Sequence, residues 1–283
     1  MAKQMTQEQK ERLISEALET EEGRTQLASA MANPIRTSLD YQGIARKLLT
    51  VDPLPQGALP VYDRDVDVKA FTVSKRGGAV DQLVEGERIQ VPTWEIVAYP
   101  QVRFSQIKER RFNIIDRAQQ RAKSDIMAVE DENVFALIDA AAEAVNPVTV
   151  STGGLTRDAL TTAFGEIEKH DLPVTKIVMN AQAFKDIRKW GFNELDQVTM
   201  HEVLQTGLFG HIWTAEILIS KKVPPKTVYV MAAPEFVGVM PIRQDIQVIP
   251  ADDPSNLRIG WVVYEELGMS VVNAQSVSKI VIE

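Results

Sequence analysis

The chain has 283 residues, with 31 basic and 39 acidic side chains, a formal charge of −8, 45% apolar residues and no Cys. This mix supports a sizeable core and excludes wholesale disorder; zero Cys excludes a disulfide framework, a thiol nucleophile and Cys-held zinc or iron–sulfur centres. A pI near 5.1 argues against a generic nucleic-acid binder, which needs clustered Lys and Arg against phosphate.

The first 24 residues are polar and acidic and lack the apolar core of a signal peptide. No stretch approaches ~18 uninterrupted apolar residues. The richest run, Tyr229 to Ile242, is broken by Pro234, Glu235, Gly238 and Pro241. Residues 6–31 read as one or two amphipathic helices, with Leu13, Ile14, Ala17 and Leu18 at helical spacing. Their apolar face is too thin to be a core, so the segment needs a surface to dock on. Asn33-Pro34 reads as an N-cap followed by Pro at the first helical position. A helix to about Leu49 is expected, ended by Pro53 and Pro55.

From Leu59 to Tyr99 the period changes to two: Val66, Val68, then Phe71, Val73, and later Trp94, Ile96, Ala98. Lys75-Arg76-Gly77-Gly78 reads as a turn at the tip. This β excursion of about 40 residues has little apolar content at its tip, and an isolated hairpin is marginal in water. Residues 101–146 contain neither Gly nor Pro. After Val102 and Phe104 extend the strand pattern, helical periodicity predicts one long helix through Ile115, Ala118, Ala122, Ile126, Val129, Leu137 and Ala140. Its charges are segregated. Residues 103–123 hold seven basic groups, Arg110, Arg111, Arg117 and Arg121 among them; residues 125–143 hold six acidic groups and no basic one. That order opposes the helix macrodipole, so packing or oppositely charged neighbours must hold the helix.

Residues 147–230 read as an α/β unit. The expected elements are a strand at Val148–Val150, a helix from Thr156 to Lys169, a strand at Val174–Met179 and a helix at Ala181–Trp190. A helix at Val198–Thr206 and strands at Ile212–Ile219 and Thr227–Met231 complete it. Residues 232–283 read as five strands, Glu235–Val239, Asp245–Ile249, Ile259–Tyr264, Met269–Val272 and Ser276–Ile282, forming an antiparallel sheet. No internal repeat occurs.

Chemical motifs are weak throughout. Ser151-Thr152-Gly153-Gly154 sits between strand and helix but lacks the Lys and spaced Gly of a P-loop. His201-Glu202 begins a zincin-like pattern in which Gln205 replaces the second His; His170 and His211 are the other two His residues. No G-x-S-x-G elbow is present. Asp252-Asp253 and Asp131-Glu132 read as solvated acidic pairs. Trp94, Trp190, Trp213 and Trp261 are dispersed and read as core or interface anchors. No catalytic residue, cofactor or metal is expected.

The order of parts resembles the HK97-like major capsid proteins of tailed bacteriophages. Two passages share the texture of that family: Lys176-Ile-Val-Met-Asn180 with Ala181 to Trp190, and Ile259-Gly-Trp-Val-Val-Tyr264 to Ser270. The resemblance implies an α+β fold with an N-arm (1–33), a helix and linker (34–55) and an extended E-loop (56–100). A peripheral domain with a spine helix (101–149), an axial domain (150–230) and a closing β region (231–283) would follow. It implies a non-enzymatic protein that self-assembles as hexamers and pentamers into an icosahedral shell enclosing phage DNA. The resemblance places the protein in the virion capsid, assembled in the host bacterial cytoplasm, without a membrane. Partners would be copies of itself, a separate scaffolding protein or none, a portal and decoration proteins. Contacts between copies are expected at Leu13, Leu18, Lys75, Arg76, Gly77, Gly78, Arg110, Arg111, Arg117 and Arg121.

Some members of that family lose a large N-terminal scaffolding region, and some crosslink Lys to Asn through the E-loop. Only about 33 residues precede Asn33-Pro34, so no large removal is expected. Lys69 and Lys75 lie in the loop without an identifiable acceptor, so crosslinking is not expected either. Net acidity suits an inner wall that must not clamp DNA. An encapsulin-like nanocompartment enclosing cargo enzymes is the alternative, and a soluble α/β enzyme with an unseen site is the third reading.

Overall fold

A computed structural model describes residues 40–55, 57–64, 72, 77, 86–103, 105, 114–190 and 210–283. The described residues fall into two compact units. One takes 40–41, 97–103, 105, 114–125 and 248–263, and the other takes the remainder.

In chain order, a 3-10 turn at Ala45–Lys47 leads into β1 (Thr50–Pro53), β2 (Val61–Asp63), β3 (Arg88–Gln90), β4 (Thr93–Ala98) and β5 (Gln101–Arg103). The long helix α1 follows (Ile114–Ala142), about 44 Å at ~1.5 Å per residue. Then come β6 (Thr149–Ser151), α2 (Arg157–Glu168), β7 (Val174–Met179), α3 (Ala181–Ile187), β8 (His211–Ile212), β9 (Ala215–Ile219) and β10 (Thr227–Ala232). The chain closes with α4 (Pro234–Val237), β11 (Gly238–Pro250), β12 (Arg258–Gly268), β13 (Ser270–Val271) and β14 (Val277–Ile282).

The larger unit holds the hydrophobic core. Its α/β sheet has the order β6-β14-β10-β7-β9-β8. Central β10, TVYVMA, is buried at all six positions. A run without alternation is what a strand covered on both faces requires. α2 buries Ala159, Leu160, Ala163, Phe164 and Ile167, spaced three and four apart along one face. Thr156 caps it by accepting from the Ala159 N–H. The second sheet has the order β1-β11-β12-β4, with β13 on β11 and β5 on β12.

In the smaller unit, β5 pairs antiparallel with the start of β12, from Arg258↔Arg103 to Gly260↔Gln101. The β11–β12 connection is a compact turn. Asp253 accepts from the Asn256 N–H, and Leu257 takes left-handed backbone, φ 51°, to close it.

Several expectations are corrected. The helix to Leu49 is absent over residues 40–49, where the chain forms a 3-10 turn and then β1. The cause is tertiary: the Ile44 and Ala45 N–H groups donate to the buried Asp131 carboxylate on α1, not to carbonyls four residues back. The described strands of the excursion divide between two sheets. β2 pairs with β3, but β4 joins the larger sheet because Ile96 is buried and Trp94 packs on the core.

The Ile212–Ile219 strand is two strands folded at Trp213-Thr214, with Trp213 at φ 51°. Glu235–Val237 is helical because Pro234 opens α4 with its fixed φ. The final region is not a single antiparallel sheet. β14 lies in the α/β sheet, antiparallel to β10 and parallel to β6, and β1 runs parallel to β11. A strand there completes two ladders at once, which a place at the edge of the other sheet would not provide. The expected arm helices over 6–31, the loop tip except Gly77 and the helix at 198–206 lie outside the described residues.

Gly238 shows how tightly β11 meets β13. A Cβ there would sit 2.1 Å from the Ser270 carbonyl oxygen and 2.9 Å from Val271 Cα. Gly238→Ala is therefore expected to cost about 2 kcal/mol by forcing the strands apart. Gly165, exposed inside α2 with nothing within 4 Å of its added Cβ, is the control. Gly165→Ala is expected to stabilise by about 1 kcal/mol. Urea unfolding midpoints of the two variants check both signs.

Candidate functional site

Of the ten residues expected at contacts between copies, Leu13, Leu18, Lys75, Arg76, Gly78, Arg110 and Arg111 lie outside the described residues. Gly77 is described as exposed and irregular. Arg117 and Arg121 are placed on the first half of α1, one turn apart. Both converge on Asp40: Arg117 Nη1 is 2.7 Å from Oδ2, and Arg121 Nη1 is 3.6 Å from Oδ1. Their charge thus has a partner within the chain. Arg121 keeps more side-chain exposure than Arg117, 38% against 18%.

The polar centre that sequence reasoning missed is built around Arg46. Its guanidinium meets carboxylates from three elements of the larger unit. Nε lies 3.1 Å from Glu130 Oε1 on α1, Nη1 2.9 Å from Asp245 Oδ1 on β11, and Nη2 3.2 Å from Glu265 Oε2 on β12. The side chains of Glu130 and Glu265 are nearly or fully buried, at 3% and 0% exposure. A planar fork with five donors suits this arrangement in a way a Lys ammonium would not.

Burial pushes the Glu130 carboxyl up, only partly countered by Arg46. Burial also raises Glu265, reinforced by the Glu130 charge, to about 7. Burial opposes the Arg46 charge, but Glu130 and Asp245 outweigh it and hold the guanidinium above its usual range. Burial raises Asp245 less than the Ile246 N–H and Arg46 lower it, so it falls below the usual carboxylate range.

The neighbouring Asp131, fully buried, accepts from the Ile44 and Ala45 N–H groups at 2.8–3.1 Å. At Gly43 an added Cβ would come within 3.2 Å of Met127 Cβ and 3.3 Å of Asp131 Oδ1. Residues 43–46 are thus held flat against α1 by close approach, a carboxylate on their N–H groups and one ion pair. A tripartite cue existed in the sequence, a Gly followed by an Arg three residues later and an Asp-Glu run on a helix. Nothing local ties those residues together.

A second network fixes the C-terminal half of α1 to the α/β sheet. Tyr229 Oη donates to Asp139 Oδ1 at 2.6 Å, and Lys279 Nζ lies 2.7 Å from both Asp139 and Glu143. The rings of Phe135 and Tyr229 stack with centroids 6.4 Å apart. Asn146 donates to the Gln275 and Val277 carbonyls. At and after the Ser151–Gly154 loop three N–H groups are engaged by protein: Gly153 N–H by the Glu283 carbonyl, Thr156 N–H by Ser151 Oγ, and Leu155 N–H by the Asp186 carboxylate.

His170 follows α2 and His211 lies in β8, while His201 is outside the described residues. Among the described residues no three His, Asp or Glu are arranged to hold a metal ion. Trp190 is a core anchor, with Nε1 donating to the Leu155 carbonyl. Trp213 is half-exposed, edge-on to Phe164 at 4.9 Å.

No protein-family model and no curated protein matches the chain. Solved structures do. The capsid of Cyanophage P-SCSP1u aligns with a TM-score of 0.68 at 12% identity, covering 89% of this chain and 92% of that one. The mature capsid of bacteriophage PhiM1 aligns at 0.65 and 10% identity, covering 89% and 90%. A virus-like particle from Pyrococcus furiosus aligns at 0.55 and 12% identity, covering 95% and 98%. Near end-to-end overlap with these subunits shows that the chain has the HK97-like fold of phage capsid proteins.

Proposed function

We propose that this chain is a major capsid protein. Its copies assemble as hexamers and pentamers into a closed icosahedral shell around a phage DNA genome. The observation that carries this reading is coverage: the match takes in 89% of this chain and 92% of a capsid subunit. The role is structural, not catalytic, and the shell is the virion capsid, assembled in the host bacterial cytoplasm.

A portal, decoration proteins and a separate scaffolding protein, or no scaffold at all, are the partners this reading proposes. A charge of −8 suits a wall that holds DNA without binding it tightly. In this reading residues 1–33 are the N-arm, α1 is the spine helix, and the E-loop is the excursion based on β2 and β3. The β2–β3 pair supports that assignment. Each strand has three residues, of which only the middle one is even half-buried, so the loop gains little from its own subunit and needs a neighbour's surface.

The encapsulin-like reading is kept as the alternative, and the overlap with the Pyrococcus furiosus particle, at a TM-score of 0.55, supports it. Electron microscopy of the purified protein, with size-exclusion chromatography, tests both. Closed shells containing DNA are expected. Shells containing cargo protein would favour the alternative, and a stable monomer or dimer under all conditions would overturn both.

Two variants probe the contacts. Deleting Arg76–Gly78 is expected to leave subunit melting unchanged and abolish shell formation; a misfolded subunit would refute a purely intersubunit role for the tip. Arg121→Glu is expected to leave the subunit within about 1 kcal/mol of the parent, since its pair with Asp40 is a long surface contact. Shell assembly should become strongly salt-dependent. Assembly indifferent to ionic strength would remove Arg121 from the interface.

A further inference from the structure

The smaller unit leaves one face of its sheet open to solvent. Along β5 and the start of β12, Gln101, Arg103, Arg258 and Gly260 share that face. The alternate residues Val102 and Trp261 are buried and mark the inner side. Tyr99 lies across Gly260. Its Oη donates to the Ala251 carbonyl at 2.9 Å, and a Cβ added at Gly260 would sit 2.9 Å from its Cε2. The ring is fixed in place yet 48% exposed. Ala251 N–H donates to the Gly260 carbonyl, so Ala251 and, two residues back, Ile249 fall on the same face; Ile249 is 46% exposed. Leu257, in the turn before β12, is 67% exposed and holds left-handed backbone at φ 51°. Gly would close that turn with less strain, and the Leu side chain finds no cover in its own subunit.

The charges at this tip suit a copy of the same surface. Arg103 and Arg258 stand directly opposite each other across β5 and β12, a placement that costs stability within one chain. Arg258 donates to Gln101 Oε1 at 3.1 Å and bridges to Asp253. Arg103 is exposed and has no partner among the described residues. Asp252, also exposed, accepts the Gly260 N–H at 3.3 Å and meets no cation among the described residues. Arg103 and Arg258 balance Asp252 and Asp253, on a chain whose formal charge is −8. Copies of so acidic a chain repel on average, and a neutral tip adds nothing to that repulsion. Nucleic-acid phosphate is a poor occupant, because the two acids oppose what the two arginines attract.

We propose that this face is a contact between copies of the chain. Tyr99, Ile249 and Leu257 lose their solvent against a second copy, and the Arg103 guanidinium of one copy pairs with the Asp252 carboxylate of the other. The inference rests on the shell reading and names a surface of the subunit that such a shell uses. Three apolar side chains are too few to hold a dimer alone, since stable interfaces bury about 800 Å² per partner. The contact therefore acts as one of several repeated around a closed assembly.

The chain has no Cys, so Leu257→Cys installs a single thiol. Ser255→Cys, exposed in the same turn, takes its place if that variant fails to fold. Modification by a maleimide is timed on the full chain, in dissociated subunits and in assembled particles. The rate is expected to be about tenfold or more lower in the particles, as burial of the tip requires. Separately, Arg103→Glu and Asp252→Arg are each expected to raise the protein concentration needed for assembly about tenfold, and the double exchange to restore the parent value. Melting of all three should follow the parent. Particles whose thiol reacts as fast as in free subunits would overturn the contact and leave the shell reading standing. A double exchange no better than its singles would overturn the Arg103–Asp252 pairing. Small oligomers that protect the thiol and obey the charge exchange would uphold the contact and refute the shell. A monomer at every concentration would overturn both.

Discussion

Much of the larger unit depends on one carboxylate. Asp131, in the middle of α1 and closed off from solvent, takes the N–H groups of Ile44 and Ala45. Those are the leading donors of a 3-10 turn whose own N-cap, Ile44, has no side chain to offer. The cap is supplied from another element, 86 or 87 residues away. Once it is made, Arg46 is delivered to Glu130, and the chain leaves the turn in line with β11 to form the parallel β1 pairing. The arrangement buries acids at a real desolvation cost. What it gains is direction, because a carboxylate on two N–H groups and a forked guanidinium admit few alternative poses.

The long helix is held from outside itself. Its acidic half lies where its dipole is already negative, and an isolated helix with that order would fray. Lys279, arriving on β14, supplies the missing cation between Asp139 and Glu143. Tyr229 adds a hydrogen bond to the same half, and Asn146, just past its end, donates to the Val277 carbonyl. At the basic half, Asp40 supplies the missing anion to Arg117 and Arg121. Charge segregation that looked like a signal for neighbouring copies is answered, at these positions, within the chain.

Elements with strong, long patterns were legible. The spacing predicted the Val174–Met179 strand and a long helix through 115–140, and α2 with its Thr156 cap follows from one amphipathic face. Legibility failed where a long-range partner overrode a local preference. Asn33-Pro34 signals a helix, yet residues 40–49 do not continue one because Asp131 takes their N–H groups. Trp94 and Ile96 alternate like an extended hairpin, yet they belong to the core sheet. Pro234 turned an apparent strand into one turn of helix. The Arg46 centre was invisible because no local pattern links Arg46 to Glu130, Asp245 and Glu265, which lie far away in sequence.

The sequence by itself determined the order of parts, the type of the longest elements and the want of any catalytic motif. Periodicity is a local trace of burial, and an apolar face at spacing 3.6 or 2 leaves few choices. Only the tertiary structure decided that β14 belongs with β10 and that an acid caps a distant turn. It alone gathered three carboxylates on Arg46 from positions 84, 199 and 219 residues away. Those decisions belong to desolvation and to backbone groups that must be paired once buried, and neither acts until the chain has closed on itself.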